Sequence, residues 1–299
     1  MKLRRTYPAD SELPVMQVLK DQRWETLNNP PEPFSVASSA SIALDARADA
    51  EGAVLPFHPR SFRDFMLYEQ HCINASRGYA RRFMPAAHRF TTLFEGLTRR
   101  PFPAFKPSAL WYRQPIYYFG NHLSFVPSGA TVACPSYSKA FDYELELGVV
   151  LGKPLLNATP SQALEAIGAF VVLNDFSARD VQRAEMASGF GPQKSKHFLS
   201  SMSEIMVTAD DLLDDVNALK ASVCINGREI CATSTAGMHH SIGEAPAQAS
   251  MDEQLYPGEL FGTGTLPGGC GMENGHWLKS GDLLQLRIDR IGEIQHRIA

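Results

Sequence analysis

The chain has 299 residues, of which 44% are hydrophobic and 20% charged, a balance typical of a folded globular protein rather than a disordered one. Its 28 basic and 32 acidic residues give a net charge of −4, so no broad cationic field points to nucleic acid as a partner. No run approaches the roughly 18 apolar residues that a membrane span needs. Five scattered cysteines without a CxxC spacing predict free thiols in a reducing, cytoplasmic setting.

Composition divides the chain into two parts. Residues 1–57 are rich in Ala, Ser, Pro and Asp, and we predict a small, partly irregular N-terminal region there, followed by the main domain over 58–299. The predicted elements of that domain are a helix over 61–71 capped by Ser61, strands over 141–151 and 169–175, short helices over 161–167 and 177–186, and later strands over 221–231, with a hairpin turn at Asn226-Gly227, and over 282–291. Strands dominate without regular β–α alternation, so we expect an α+β fold of mixed curved sheets and not a doubly wound sheet.

The first candidate site lies in the strand FDYELELGVVL, residues 141–151. Alternate positions of a strand share a face, so Asp142, Glu144 and Glu146 are predicted to point the same way. Three neighbouring carboxylates repel one another unless water or a cation screens them. The strand therefore has either a solvated outer face or a pair of oxygen ligands for a hard cation.

Asp175 ends the apolar strand VVLND and precedes the helix SARDVQRAEM. A carboxylate at such a junction is either a helix cap or a third oxygen ligand for Mg²⁺ or Ca²⁺. In the helix, Arg179 and Gln182 are three residues apart and share a face, which is either exposed or turned towards that ligand site.

Two further groups carry ionisable side chains. Asp64 and His71 are seven residues apart on the predicted early helix, where Asp64 can be the acid of a capping box and His71 either a structural histidine or a general base. Lys194 and Lys196 flank Ser195 in a loop that is either solvated or able to hold an anionic oxygen.

Two segments have an open role. The aromatic run 111–119 forms core by default, although it can also line a pocket or an interface. The glycine-rich segment 262–271 fits neither a dinucleotide fingerprint nor a Walker loop, so it is either a turn-rich connection or a backbone wall that a ligand approaches closely. The sequence also lacks GxSxG and HExxH.

Taken in order, the segments DFMLYEQH, FDYELELGVVLGK, LNDFSARDVQ, GPQKSKHF, GTGTLPGGCGMENG and WLKSGDLLQL resemble the fumarylacetoacetate hydrolase family over about residues 58–299. The ExE pair followed about thirty residues later by NDxSARDxQ is the most specific part. The resemblance implies mixed sheets rolled into a β-sandwich or barrel-like shape, and a homodimer. Residues 1–57 match no family pattern.

The resemblance also implies roles for individual residues. The metal ligands for Mg²⁺ or Ca²⁺, with Mn²⁺ as a further choice, would be Asp64, Glu144, Glu146 and Asp175. The catalytic residues would be His71 as base, its partner acid Glu273, Lys196, Gln182 and Arg179. Where the family has a substrate-binding arginine after the histidine, this chain offers only Arg77, Arg81 and Arg82 nearby.

The implied activity is cleavage of a carbon–carbon bond in a 1,3-diketo acid or acylpyruvate through a metal-stabilised enolate. The alternatives are decarboxylation, isomerisation or dehydration of a 2-oxo acid, or a relative without catalysis. In each enzymatic case the partner is a small 2-oxo or diketo acid, and neither nucleic acid nor a membrane is expected.

Overall fold

A computed structural model describes residues 1–8, 11, 13–30 and 54–299. The strands are β1 (Lys2–Thr6), β2 (Val15–Lys20), β3 (Arg23–Thr26), β4 (Phe62–Phe65), β5 (Tyr117–Gly120), β6 (Phe125–Pro127), β7 (Phe141–Asp142), β8 (Leu145–Leu151), β9 (Ile167–Asp175), β10 (Ser177–Ala178), β11 (Ser200–Thr208), β12 (Lys220–Ile225), β13 (Arg228–Ser234), β14 (Leu260–Gly262), β15 (Leu283–Ile288) and β16 (Gly292–Arg297). The α-helices are α1 (Glu69–Phe83), α2 (Pro85–Thr98), α3 (Pro160–Glu165), α4 (Arg179–Ala187), α5 (Ala209–Leu212), α6 (Glu244–Ala249) and α7 (Gly271–Asn274).

One large mixed sheet organises the molecule. Its strand order is β3-β2-β1-β11-β9-β8-β14-β4-β5, with β6 paired in parallel to β11. A second sheet has the order β13-β12-β15-β16, and β7 and β10 form a short separate pair. Mixed sheets with helices between their strands along the chain, and without regular β–α alternation, confirm the predicted α+β fold.

The central strands are buried on both faces. Along β8, Leu145, Leu147 and Val149 belong to a core that also contains Leu284 and Leu286 of the second sheet. Residues of the opposite parity on β8, β9 and β14 pack in another cluster, together with apolar side chains of the N-terminal strands. Two-sided burial explains the near-continuous apolar runs in β8 and β9.

The N-terminal strands extend the large sheet. β1 pairs with β11, and Leu3, Met16 and Val18 share a cluster with Phe62 of β4. Residues 9, 10, 12 and 31–53 of the predicted N-terminal region lie outside the described residues, so its boundary at residue 57 stays a prediction.

The predicted helix over 61–71 is wrong. Residues Phe62–Phe65 are a strand between β14 and β5, and the helix begins only at Glu69. All four strand residues are buried, so tertiary packing outweighs the helical spacing of the aromatic side chains. Ser61 caps no helix there, and its hydroxyl donates to Glu259 at 2.6 Å.

The predicted strand over 141–151 is interrupted. Phe141–Asp142 pairs with Ser177–Ala178, whereas Leu145–Leu151 belongs to the large sheet. Asp142 does not share the orientation expected from strict alternation: its carboxylate accepts hydrogen bonds from the backbone amides of Gly271 and Met272. These hydrogen bonds hold Asp142 away from the large sheet, and the predicted strand is therefore interrupted between Asp142 and Leu145.

The later elements follow the sequence more closely. The hairpin turn is confirmed, with φ of 55° at Asn226 and 77° at Gly227 between β12 and β13. The predicted helices over 161–167 and 177–186 occur at Pro160–Glu165 and Arg179–Ala187. The five cysteines are free, and none of the described helices is long and apolar enough to span a membrane.

Candidate active site

Five adjacent strands each contribute one residue to the same face of the large sheet. Tyr118 of β5 lies opposite Asp64 of β4, and Asp64 lies opposite Gly262 of β14. Glu146 of β8 and Asp175 at the end of β9 have the same parity as the side chains in the cluster beneath that face. Strand register therefore gathers polar residues that are up to 111 positions apart in sequence, as between Asp64 and Asp175.

Gly262 makes room for two of the carboxylates. A Cβ at this position would lie 2.5 Å from Asp64 Oδ1 and 2.7 Å from Glu146 Oε2. Any larger residue would push one of the two carboxylates away. The glycine is thus required by the close approach of the acids and not by its backbone angles.

Three carboxylates converge beside this glycine. Asp64, Glu144 and Glu146 each offer an oxygen within 4.8 Å of the others, and all three residues are buried. Asp64 Oδ1 and Glu146 Oε1 are buried without a hydrogen-bond partner in the described part of the chain. Buried anionic oxygens need a partner, and hard divalent cations prefer oxygen ligands, so this donor set fits Mg²⁺, Mn²⁺ or Ca²⁺.

Asp175 joins the cluster through Tyr118. The Tyr118 hydroxyl lies 2.8 Å from Asp64 Oδ2 and also contacts Asp175 Oδ2. One hydroxyl hydrogen cannot serve two carboxylates, and because Lys196 Nζ lies 2.7 Å from Asp175 Oδ2, the carboxylate that needs further positive charge is Asp64. Ser200 donates to the other oxygen of Asp175 at 3.2 Å.

The pKa values of the buried acids also indicate a need for positive charge in the cluster. Burial, reinforced by Asp175, raises the pKa of Asp64 to about 8. Burial and the neighbouring Asp64 also raise the pKa of Glu146 well above its ordinary value. These two acids are ionised only with difficulty when protein groups alone surround them, and a bound cation would supply the missing positive charge.

Glu144 is held ionised by two buried cations. Arg179 Nη2 lies 2.7 Å from Glu144 Oε1, and Lys196 Nζ contacts the other oxygen. Although burial raises the pKa of Glu144, Arg179 and Lys196 outweigh it and lower that pKa. For Lys196, burial acts in the opposite direction and lowers the pKa, but the carboxylates of Asp175 and Glu144 outweigh burial and raise that pKa. The Oδ2 atom of Asp175 lies 2.7 Å from Lys196 Nζ, so the ammonium stays charged.

Arg179 also organises its surroundings. Its Nε donates to Asp142 at 2.8 Å and its Nη1 to the amide oxygen of Gln182 at 3.0 Å. Because that oxygen is engaged, the amide nitrogen of Gln182 can present its donors elsewhere. Asp142 thus positions the arginine and is not part of the carboxylate cluster.

His71 is paired with Glu273. Its Nδ1 lies 2.7 Å from Glu273 Oε1, and since a carboxylate only accepts, Nδ1 carries the hydrogen. The backbone amide of Gly268 donates to the other Glu273 oxygen at 2.8 Å and fixes the acid. The Nε2 atom is then the basic nitrogen of His71.

A second group of ligand-type atoms includes the same pair. His71, Cys270 and Glu273 also offer atoms within 4.8 Å of one another. The Cys270 thiol donates to Glu273 Oε1 at 3.5 Å, so this group is hydrogen-bonded internally without an ion. The carboxylate cluster is therefore the better cation site.

The base and the carboxylates meet in one cavity of about 830 Å³, a volume typical of small-molecule sites. At one end it is lined by Asp64, His71, Glu144, Glu146, Arg179, Gln182 and Lys196. Its other walls come from α1, α2 and the segment 102–118. Part of the aromatic run 111–119 thus lines the cavity, including Trp111 and Tyr117.

The structure brings together most residues that the sequence singled out. It separates Asp64 from the helix of His71, and it leaves Lys194 exposed while Lys196 is buried. Asp175 caps no helix, because α4 follows Ala178. None of Arg77, Arg81 and Arg82 lines the cavity.

Two residues of the cluster were missed. Tyr118 had a weak signal, its place in the aromatic run, but no local pattern pairs it with Asp64. Gly262 begins the glycine-rich segment, for which a close ligand approach was one of two interpretations. The structure shows that at Gly262 the approaching groups are the chain's own carboxylates.

Comparison with known proteins adds a family match. The family model described as "Fumarylacetoacetate (FAA) hydrolase C-terminal" matches residues 91–299. Oxaloacetate tautomerase Fahd2a, mitochondrial, of Rattus norvegicus is 31% identical over 189 residues, covering 62% of this chain and 59% of that protein. The 2,4-didehydro-3-deoxy-L-rhamnonate hydrolase of Sphingomonas sp. (strain SKA58) is 29% identical over 170 residues, with coverage of 56% and 59%. The matches thus span less than two thirds of these curated relatives.

Solved structures share the fold. The crystal structure of a putative HpcE protein from Mycobacterium smegmatis superposes with a TM-score of 0.72 at 23% identity, covering 100% of this chain and 99% of that one. Fumarylpyruvate hydrolase from Pseudomonas aeruginosa, in complex with Mn²⁺ and pyruvate, gives a TM-score of 0.60 at 20% identity, with coverage of 85% and 93%.

Proposed function

The chain belongs to the fumarylacetoacetate hydrolase family, and from this premise we propose that it is a divalent-cation-dependent hydrolase that cleaves a carbon–carbon bond of an acylpyruvate or a similar 1,3-diketo acid. The observation that carries the proposal is the His71–Glu273 pair, 2.7 Å apart, beside the carboxylate cluster. Hydrolysis needs an activated water, and an oriented imidazole is a suitable base for it.

The proposed cation ligands are Asp64, Glu144, Glu146 and Asp175. The cation, whether Mg²⁺, Ca²⁺ or Mn²⁺, supplies charge stabilisation for substrate oxygens when it is bound. A bound cation would also give a partner to the buried oxygens of Asp64 and Glu146 that have none among the described residues.

The chain's own residues supply the proton transfers. His71 Nε2 takes a proton from water, and Glu273 stabilises the imidazolium that results. The hydroxide adds to the acyl carbonyl carbon, and the bond from that carbon to the methylene carbon breaks. The electron pair of that bond passes to the methylene carbon and is delocalised onto the neighbouring carbonyl oxygen, which gives the enolate of pyruvate. A proton returned by His71 to the methylene carbon then converts the enolate to pyruvate. Water and an acylpyruvate thus give a carboxylic acid and pyruvate.

Lys196 and Gln182 are proposed to stabilise the enolate oxygen. Both line the cavity, and the ammonium of Lys196 is kept charged by Glu144 and Asp175. Arg179 holds Gln182 and Glu144 in place through the contacts described above. Donors placed in advance at developing negative charge are the usual source of such rate enhancement.

A second candidate is tautomerisation of oxaloacetate, which the name of the rat relative suggests. It uses the same enolate but consumes no water, so it needs a proton carrier and not a water-activating pair. Decarboxylation, isomerisation and dehydration of 2-oxo acids remain further alternatives. The small 2-oxo acid partner and a homodimer are part of the proposal, and analytical ultracentrifugation tests the dimer.

Product analysis separates these activities. With Mg²⁺ present, NMR should show acetylpyruvate converted to equal amounts of acetate and pyruvate, and EDTA should stop the reaction. His71→Gln and Glu273→Gln should reduce this cleavage while leaving cation affinity unchanged. Rapid enol–keto exchange or CO₂ release from oxaloacetate, without cleavage of acetylpyruvate, would replace the hydrolase proposal with its alternatives.

A further inference from the structure

The part of the cavity away from the carboxylates is apolar. Its walls come mainly from α1, α2 and the segment that precedes β5. Large apolar side chains of these segments line it, among them Tyr79, Met84, Phe102, Phe105, Trp111 and Ile116. Trp111 and Phe105 are buried, and the Trp111 indole donates to the backbone oxygen of Met66, so its one polar group is satisfied.

The three arginines that follow His71 on α1 are engaged elsewhere. Arg77 donates to Glu95 at 3.0 Å, and Arg81 donates to the backbone oxygen of Glu273 at 3.1 Å. Arg82 lies over the Trp277 ring, 3.9 Å from its centroid. None of the three lines the cavity.

Four other cationic side chains do line the cavity. Arg179 and Lys196 face the carboxylate cluster. Lys106 and Arg183 are exposed to solvent, and the Arg183 guanidinium lies over the Tyr79 ring at 5.4 Å. Arg183 also donates to Met84 Sδ at 3.2 Å, so this exposed cation reaches the part of the wall formed by Tyr79 and Met84, whereas no cation of the described residues lies over the rings of Phe105 and Trp111.

From this distribution, and resting on the proposed function, we propose that the acyl arm of the substrate is a bulky uncharged hydrocarbon group, aryl or branched alkyl, and not a chain that ends in a carboxylate. The diketo acid head would lie at the carboxylate end, next to Lys196 and His71. The arm would then lie against Phe105 and Trp111, where apolar surface is removed from water. A carboxylate in the same place would be desolvated without a partner.

Three acylpyruvates with different arms test this inference. Benzoylpyruvate has a bulky apolar arm, acetylpyruvate a small one, and fumarylpyruvate an arm that ends in a carboxylate. We expect kcat/KM for benzoylpyruvate to exceed that for acetylpyruvate about tenfold or more, from burial of the ring, and fumarylpyruvate to be the poorest substrate. Fumarylpyruvate cleaved as well as benzoylpyruvate would overturn the inference and leave the hydrolase proposal standing.

A binding measurement keeps the inference testable without turnover. With Mg²⁺ present, calorimetry should show phenylpyruvate binding about tenfold or more tightly than 2-oxoglutarate, whose arm carries a carboxylate. The reverse order would overturn the inference. If none of the three acylpyruvates is cleaved, the hydrolase proposal fails, and the binding order still decides the nature of the arm.

A matched pair of variants at Ser76 of α1, which lines the cavity, sharpens the test. Ser76→Lys and Ser76→Met introduce side chains of similar size that differ in charge. The lysine variant should cleave fumarylpyruvate about tenfold better than the methionine variant, because it supplies the missing cation. Equal activity of the two variants would contradict the claim that charge limits the arm.

The exposed cations provide the final control. The double variant Lys106→Met/Arg183→Met should keep the wild-type ratio of kcat/KM between benzoylpyruvate and fumarylpyruvate within about twofold, because both side chains face solvent, where ion pairs contribute little. A selective loss of fumarylpyruvate cleavage would show that these two residues do bind an arm carboxylate, against the inference.

Discussion

The two ends of the cavity are built on different principles. At the carboxylate end, each polar side chain is placed by strand register and held by directional bonds, as Glu144 is by Arg179 and Lys196. At the apolar end, helices and a loop contribute side chains such as Phe105 and Met84 that interact without a fixed direction. In the proposed enzyme, the first end supplies the chemistry and the second binds the arm.

The largest effect is expected at the carboxylate end. Glu146→Gln keeps the size of the side chain but removes the carboxylate, whose Oε1 has no hydrogen-bond partner among the described residues. We expect at least about a 10²-fold loss of Mg²⁺ or Mn²⁺ affinity, because even outer partners of metal ligands are worth about 10–100-fold. Calorimetry measures it, with the exposed Glu204→Gln as control. Equal affinities of the two variants would remove Glu146 from the site.

A lysine pair tests the role of charge beside the cluster. Lys196→Met removes the buried ammonium and should lower kcat by about 10²-fold or more, the loss expected for one oxyanion donor. Lys194→Met, two residues away and exposed, should retain wild-type kcat. Thermal melts establish that both variants are folded. A folded Lys196→Met enzyme with wild-type kcat would contradict the mechanism.

At the apolar end, a substitution should have a smaller effect and should change KM instead of kcat. Phe105→Ala removes a buried ring that packs with Ile73 and Ala80. We expect KM for benzoylpyruvate to rise roughly tenfold with little change in kcat, since the ring binds the arm in ground state and transition state alike. Leu97→Ala, at a position 77% exposed, should change neither constant. A fall in kcat with constant KM would place Phe105 in the chemistry.

The smallest expected effect concerns the pH dependence of folding stability and comes from a residue outside both ends of the cavity. Burial, with a contribution from Arg5, lowers the pKa of His58 from 6.5 to about 4. The unfolded chain therefore binds more protons than the folded one between these values, and stability present above about pH 6.5 is lost as pH falls towards 4. The urea midpoint of His58→Gln should fall less than that of wild type between pH 7 and 4.5. Parallel curves would show that His58 does not contribute.

The sequence predicts which residues form the carboxylate end better than it predicts how they are arranged. Glu144, Glu146 and Asp175 lie in segments specific enough to be identified without a structure. Asp64 was placed on a helix because its aromatic neighbours have helical spacing, and only its pairing with β14 and β5 makes it a strand residue. Local patterns do not report such distant pairings.

Other parts of the site had no local signal. Tyr118 reaches Asp64 and Asp175 through pairing between β4 and β5, which joins segments more than fifty residues apart. The apolar end is assembled from α1, α2 and a loop, and packing of that kind depends on volume and not on a motif. The sequence therefore predicts the residues of the carboxylate cluster better than those of the apolar wall.

The buried acids are proposed to form a cation site in this cavity. Crystals soaked in Mn²⁺ and pyruvate test it most directly through the anomalous signal of the ion. We predict one peak at about 2.0–2.3 Å from oxygens of Asp64, Glu144, Glu146 and Asp175, within the range for hard-cation ligands. A peak beside His71 and Cys270 instead, or none at the four acids, would contradict the account.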